Sequence, residues 1–400
     1  MIVFNEDKMV KYIAILIAIW ACTVRLATAV REFANGIIIL LAILLWHQNR
    51  GKFSISTEAK GYIKAYAVFG ACVVPSVLFS DNQWFSLKEF LSMWVWRYFI
   101  FIAIVAFIKR RDYLVNMLSA FLLVCGVDCL VSLVQVMQQV TPLTRGKGFG
   151  GPVLTLASLI CMLLPIAVVI LVDPGFAKRL KKSAAFTTAG AVIGLVCNKS
   201  RGAWLTELIV IPGALFRYFK TNVKLLAVSV LVLVSILGLM VVDPVYQERV
   251  VSIANTTTDK SNADRIWAWR SSVKMIKDHP VTGVGLGRFG EHYLKKYRYK
   301  EESQGLGHAH NNFVQVAAEN GIIGLIGLLF FIGYYLFTSI RNYRKQPNPY
   351  DLLIFTTVLG YLCLFGLIDY SLRLPTIRIM WFLLAVLLKL KETENRTSLL

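Results

Sequence analysis

Two histidines and two arginines are the residues best suited to chemistry, because each lies at the edge of an apolar segment or at a helix start. His308 and His310 directly precede a long apolar run, and Arg201 lies between two apolar runs. Ser261–Asp264 predicts the start of a helix, and Arg265 falls in its first turn, where the helix dipole favours an anion. A histidine titrates near neutral pH and can act as a general base. These residues therefore predict proton transfer beside an anion-binding site.

A second set of polar residues is predicted to lie on the same side of the membrane and to contribute to binding. It consists of Lys199, Arg145, Arg270, Arg288, Asn311 and Asp369. Structural roles are the alternative for several candidates. Arg201 could anchor a helix at the interface, Arg265 could be a solvated helix charge, and His310 with Asn311 could cap a helix.

The sequence predicts neither a metal site nor a cofactor. The seven cysteines all lie in apolar segments, and none forms a CxxC pair. There is no Asp-x-Asp pair, and no third ligand stands at a suitable spacing from His308 and His310. Gly283–Gly290 contains GxGxxG-like spacing, but no strand precedes it, so a turn or backbone anion nest is favoured over dinucleotide binding.

The elements that must position these residues are membrane-spanning helices. The 400-residue chain is 56% hydrophobic with a mean hydropathy of +0.61. Its apolar runs are long enough to cross a bilayer, which favours a helical bundle over a barrel. The net charge of +20 is assigned to topology and to membrane lipid headgroups rather than to nucleic acid. The predicted spans are residues 10–24, 28–46, 62–80, 86–108, 113–136, 150–172, 184–198, 202–216, 223–242, 312–338, 351–368 and 375–389.

The distribution of basic residues predicts the orientation. Connections such as Lys109–Arg111, Lys178–Lys182 and Arg341–Lys345 are basic, so they and both termini are predicted to be cytoplasmic. Residues 1–400 then form a single transmembrane domain, and residues 243–311 form a large periplasmic loop inserted between spans 9 and 10. Glu207 and Glu319 lie at membrane depth, and each is expected to pair with a polar or basic neighbour.

Several of these residues together resemble a known family. His310-Asn311, nine further residues and then Gly321-Ile322-Ile323-Gly324 resemble the HN-x9-GxxG signature of the O-antigen ligase and O-antigen polymerase superfamily. Asp264–Trp267, Gly283–Gly285 and Ser200–Gly202 are similar to its other landmarks. The layout of about twelve spans with one large loop before the signature is similar too.

The resemblance implies an all-α, GT-C-like polytopic protein of the Gram-negative inner membrane, with short helices in its periplasmic loop. It implies a glycosyltransferase that moves a glycan from undecaprenyl diphosphate to a hydroxyl of lipid A–core, completing lipopolysaccharide. Arg201 and Arg265 match the family's essential arginines, His310 matches its catalytic histidine, and Asp369 resembles an acidic residue after the penultimate span. The alternatives are an O-antigen polymerase, a flippase or transporter, and a non-catalytic scaffold.

Overall fold

The computed structural model describes residues 5–49, 51, 53–138, 144–255, 259–302 and 305–397. Within these ranges the regular secondary structure is entirely helical. The α-helices are α1 (Glu6–Thr23), α2 (Thr28–Gln48), α3 (Thr57–Leu78), α4 (Gln83–Phe90), α5 (Phe99–Phe107), α6 (Arg111–Met137), α7 (Val153–Val172), α8 (Lys178–Asn198), α9 (Arg201–Phe219), α10 (Val223–Val242), α11 (Pro244–Ala254), α12 (Lys260–Asp278), α13 (Phe289–His292), α14 (Asn312–Lys345), α15 (Pro349–Val358) and α16 (Ile377–Thr397). A π turn at Leu91–Trp96 lies between α4 and α5, and α15 continues through a π turn at Leu359–Leu364.

The all-α prediction is confirmed, and each predicted span coincides with helix. Within the described ranges, eight helical segments are long and apolar enough to cross a membrane, or nine if the bent pair Val223–Leu239 and Pro244–Ala254 is one broken span. The segments below this threshold include α1 and α16, which carry charged residues near one end. The number twelve and the membrane side of the long loop remain predictions.

Two helices form the centre of the bundle. Along α7 nearly every residue from Thr155 to Ile170 is buried, and α16 is fully buried from Ile379 to Leu390. A helix that is apolar all round buries all its faces against its neighbours. Around this centre small residues permit close packing: a Cβ on Gly327 of α14 would lie 2.5 Å from the Cβ of Cys72 in α3. This contact agrees with the packing role expected of such glycines.

The first glycine of the signature breaks α14. Gly321 has φ 62° and ψ −164°, which are not helical values. The glycine-rich turn of the long loop fills the break: Val284 N donates to Ala318 O (3.0 Å), and Ile322 N donates to Pro280 O (2.9 Å). A Cβ on Gly321 would lie 2.2 Å from the carbonyl oxygen of Val281. The turn predicted at Gly283–Gly290 is therefore present, and it is held by a helix of the bundle.

The two buried glutamates behave differently. Glu319 accepts a hydrogen bond from the backbone N of Phe289 (3.2 Å), so its expected polar partner exists. For Glu207 the expectation was wrong: it is 3% exposed, and neither carboxyl oxygen has a partner among the described residues. The reason is its position in α9, which packs on the uniformly apolar α7 and on the π turn of α15.

Candidate functional site

The corner between α8 and α9 fixes the position of Arg201. Helix α8 ends at Asn198, Lys199 takes a left-handed conformation (φ 52°), and α9 begins at Arg201. Among the described residues, Lys199 and His310 are the non-glycine residues with positive φ. Such conformations are uncommon and concentrate at functional sites. Both strained residues belong to the region predicted to carry the chemistry.

Arg201 is held by residues around the junction of α11 and α12. Its Nη1 donates to the backbone O (2.6 Å) and Oγ (2.8 Å) of Ser252, and its Nη2 lies 3.2 Å from Oδ1 of both Asp259 and Asn262. The side chain is 12% exposed. A lipid-interface anchor would extend toward headgroups, so this geometry argues against that alternative.

Arg265 lies in the first turn of α12, whose N-cap is Asp259. Its Nη1 donates to Ser261 Oγ (3.1 Å), and its Nε is buried without a partner among the described residues. Burial lowers the pKa of Arg265, and the nearby charge of Asp369 opposes that change. A partly buried guanidinium whose Nε is buried and unused is not simply a solvated helix charge, and it is suited to hold an anion.

A third arginine, Arg145, is attached to the end of α8. Its Nε donates to the backbone O of Asn198 (3.0 Å). Burial, together with the positive charges of Arg249, Arg201 and Arg265, lowers the pKa of Arg145 to about 10. The group is therefore still protonated at neutral pH, and these four guanidinium groups form one cluster.

The loop that carries Arg145 is anchored by a buried ion pair between Arg25 and Asp128. Arg25 Nη2 donates to the backbone O of Lys147 (2.8 Å), and Asp128 Oδ1 accepts from the backbone N of Phe149 (2.6 Å). Arg25, in the turn after α1, and Asp128 of α6 thus fix this short loop, which restricts where Arg145 can lie.

His310 and Asp369 form a hydrogen-bonded pair. His310 Nδ1 lies 3.0 Å from Asp369 Oδ1. Burial alone would raise the pKa of Asp369, but the hydrogen bond and positive charge of His310 outweigh it and keep the pKa below its usual value. The carboxylate therefore accepts from Nδ1–H, which leaves Nε2 of a neutral His310 as a proton acceptor. Arg265 is close enough to act on Asp369, so the arginine cluster lies near the His310–Asp369 pair.

His308 supports this pair from one side. Its ring centroid lies 4.0 Å from that of His310, and its Nδ1 accepts from the backbone N of His310 (3.2 Å). Burial, followed by the charge of His310, lowers the pKa of His308 to about 4. His308 is therefore neutral at neutral pH and acts as a hydrogen-bonding neighbour.

The expectation that no third metal ligand exists was wrong in one respect. Ligand atoms of His308, His310 and Asp369 lie within 4.8 Å of one another, a spacing that could hold a cation. The sequence could not show this, because Asp369 is 59 residues from His310. In this arrangement Nδ1 of both histidines is already used in hydrogen bonds.

Asn311 has a structural role beside the pair. Its Oδ1 accepts from the backbone N of Phe313 (2.9 Å) and Val314 (3.1 Å), and its Nδ2 donates to Leu367 O (3.1 Å). It is the N-cap of α14 and joins this helix to the end of the α15 segment. The cap alternative therefore accounts for Asn311, and substrate binding is not needed to explain it.

Arg270 and Arg288, both predicted to bind substrate, do not join the cluster in the described part of the chain. Arg288 binds both oxygens of Asp81 (2.7 and 3.1 Å) and also pairs with Glu291. It therefore attaches the long loop to the turn after α3. Arg270 lies over the ring of Trp267, 4.8 Å from its centroid. Local acidic and aromatic partners satisfy both side chains.

The sequence reasoning missed two residues of this region. Asp264 is 6% exposed and close enough to act on His310; burial, with help from Glu302, raises its pKa. Arg249 of α11 belongs to the guanidinium cluster. In the sequence, the helix start explains Asp264, and no recognisable motif surrounds Arg249. Neither residue therefore carries a sequence signal of a functional role.

Comparisons with known proteins cover part of this region. The O-antigen ligase family model matches residues 186–329, a segment that contains Arg201, Arg265 and His310 but not Asp369. An uncharacterized protein of Haemophilus influenzae is 22% identical over 184 residues, which are 42% of this chain and 46% of that protein. The chain thus spans less than half the length of this relative. The segment that carries the signature residues is therefore similar to the O-antigen ligase family.

Proposed function

We propose that this protein is an O-antigen ligase. It transfers O-antigen polysaccharide from undecaprenyl diphosphate to a hydroxyl of lipid A–core, at the periplasmic face of the Gram-negative inner membrane. Both termini are then cytoplasmic, in agreement with the basic connections noted above. The observation that carries the proposal is the His310–Asp369 pair beside a cluster of partly buried arginines.

The arginine cluster is suited to the donor. A diphosphate brings two or more negative charges, and the cluster holds four guanidinium groups, of which Arg201 is ion-paired with Asp259. Arginine binds phosphate oxygens through charge-assisted, bidentate hydrogen bonds. The partnerless Nε of Arg265 provides an unused donor. Each such contact can stabilise charge developing on the leaving diphosphate by a few kcal/mol when water is excluded.

The His310–Asp369 pair is suited to the acceptor. As the acceptor oxygen attacks C1 of the donor sugar, its proton moves to His310 Nε2 and the C1–O bond to diphosphate breaks. The bonding electrons leave with undecaprenyl diphosphate, and Asp369 stabilises the imidazolium that forms. A single displacement inverts the anomeric centre. Cleavage of the phospho-sugar bond supplies the driving force, so no nucleotide, cofactor or metal is required.

Reconstitution tests this proposal. Purified protein, undecaprenyl-diphosphate glycan and rough lipopolysaccharide are combined in EDTA, and ligated product is measured by gel and mass spectrometry. We expect product from the wild type and none from Arg201→Ala, Arg265→Ala or His310→Ala. The matched control is Lys277→Ala, which removes an exposed cation from the same helix as Arg265 and should ligate normally. Full ligation by all three site variants would refute the assignment.

The same experiment separates a ligase from a polymerase. A polymerase would lengthen lipid-linked repeat units and leave the core bare. In a deletion strain, loss of a ligase leaves lipid-linked polymer beside bare core, whereas loss of a polymerase leaves core carrying single repeats.

A further inference from the structure

A second group of arginines lies on different helices from the first. We call it the outer arginine patch: Arg31 of α2, Arg97 after the π turn at Leu91–Trp96, Arg373 in the turn before α16, and Arg378 of α16. Its members are close enough to repel one another: Arg378 is near Arg31 and Arg97, and Arg97 is near Arg373. The patch is therefore a continuous region of positive charge.

One carboxylate serves much of this patch. Glu32 accepts from Arg31 (2.7 and 3.0 Å) and from Trp96 Nε1 (2.9 Å), and it pairs with Arg378 at 3.3 Å. The side chains of Arg31 and Arg378 are 8% and 12% exposed. Two nearly buried guanidinium groups thus share a single negative charge.

The other two arginines are neutralised even less. Arg97 Nη1 donates to the backbone O of Arg373 (2.9 Å), and its Nε is buried without a partner among the described residues. Arg373 is 3.9 Å from Glu89, beyond hydrogen-bonding distance, and its side chain is 42% exposed. Four guanidinium groups therefore face two carboxylates. Arg31 and Arg378 are nearly buried, and unneutralised charge in such a setting is costly, so the patch is suited to an anion that completes it.

The patch begins next to the catalytic pair. Arg373 is four residues after Asp369, in a turn closed by Ser371 N to Asp369 O (3.0 Å) and Arg373 N to Tyr370 O (3.2 Å). Arg373 is also close enough to act on His308. An anion held by the patch would therefore lie beside the His310–Asp369 pair, and Arg265 would approach the same pair from α12.

Large apolar side chains surround the patch on the outside of the bundle. Val30 is 45% exposed, Phe33 72% and Val95 54%. Such side chains on a membrane protein face lipid tails. The combination of buried cations and a neighbouring apolar surface fits a ligand that carries both phosphate and acyl chains.

Several other cations of the long loop are already paired with carboxylates. Arg288 pairs with Asp81 of the turn after α3, and three further cations pair with carboxylates of the loop itself: Lys295 with Glu291, Lys296 with Asp278, and Arg298 with Glu302. These four cations are therefore less available to a phosphorylated lipid than the outer arginine patch.

We propose that the outer arginine patch binds a phosphate group of the acceptor glycolipid, while the cluster around Arg201 and Arg265 holds the donor diphosphate. This assignment rests on the proposed function and adds a second anion site to it. The two lipids then reach the His310–Asp369 pair from different helices, each held through its own phosphate.

Steady-state kinetics test the assignment. Arg97→Gln and Arg373→Gln each remove one guanidinium group, and we expect the KM for phosphorylated acceptor to rise about tenfold or more while the KM for the donor is unchanged. With an acceptor whose phosphates have been removed, the variants and the wild type should have equal KM. The control Arg110→Gln removes the same charge from the predicted cytoplasmic face and should change neither KM. A rise in donor KM instead would assign the patch to the donor and overturn the proposal.

A binding measurement keeps the test independent of catalysis. Bisphosphorylated and dephosphorylated lipid A are titrated into folded, detergent-solubilised protein, with thermal melting to confirm that each variant is folded. We expect the wild type to bind the phosphorylated lipid at least tenfold more tightly and Arg373→Gln to lose that preference. Equal binding of the two lipids, or equal competition by phosphatidylglycerol, would refute a specific acceptor site. Binding without transfer would instead count against the ligase assignment alone.

Discussion

Replacement of Asp369 by asparagine removes a single negative charge from the catalytic pair and keeps the side-chain volume. Asp369 is 2% exposed and accepts a hydrogen bond from His310 Nδ1 at 3.0 Å. Asparagine presents either a neutral oxygen, which stabilises the imidazolium less, or an NH₂ group, which favours the tautomer with its proton on Nε2. In both arrangements His310 becomes a weaker base.

The size of the effect follows from this contact. A hydrogen bond to a charged group contributes about 1.5–3 kcal/mol, which corresponds to roughly 10- to 150-fold in rate. If the histidine also takes the wrong tautomer, the loss rises toward the roughly 10⁴-fold seen in serine proteases with the same change. We therefore expect kcat of Asp369→Asn to fall between about 10-fold and 10⁴-fold.

The assay is single-turnover ligation with a radiolabelled donor, and the variants are Asp369→Asn, His310→Ala and the double variant. Because the two residues act as one unit, the double variant should be no slower than His310→Ala. The KM for donor should be unchanged in Asp369→Asn. If this variant retains more than half the wild-type rate, or if the two losses multiply, Asp369 does not act through His310.

Three further outcomes are expected. Gly321→Ala should lower the melting temperature strongly, because the added Cβ would lie 2.2 Å from Val281 O and the residue has a positive φ. The control Gly333→Ala has open space around its Cβ and should change the melting temperature little. Equal melting curves for the two variants would contradict the account of the helix break. Arg265→Lys should leave transfer far below wild type although the charge is kept, since lysine cannot form the bidentate contact; a wild-type rate would show that charge alone suffices. The pKa of His308 is lowered to about 4 in the folded chain, so the unfolded chain binds this proton first as pH falls, and the free energy of unfolding should decrease between about pH 6.5 and pH 4 by on the order of 3 kcal/mol. The lowered pKa of Asp369 affects stability only below its unfolded value of 3.8. In a pH series of thermal melts, His308→Asn should flatten this profile.

The helical segments could be predicted from the sequence because the length of an apolar run alone determines whether it can cross a membrane. The same holds for Arg201 at a helix start and for the cap at Asn311, which depend on neighbouring residues. Contacts between distant segments could not be predicted. Arg288 is hydrogen-bonded to Asp81, which is 207 residues away in the sequence, and His310 to Asp369, which is 59 residues away. Such pairings depend on how the helices pack, and local sequence patterns do not predict them.

The break in α14 limits how substrates can reach the site. Lifting the long loop away from α14 would strip the backbone amides of Val284, Gly285 and Ile322 of their acceptors, and each such group left unsatisfied away from water costs about 1–3 kcal/mol. Sideways movement of lipids between helices disturbs none of these bonds. Both glycolipids would therefore enter the site laterally from the bilayer, and the long loop would keep its position over the site through every catalytic cycle.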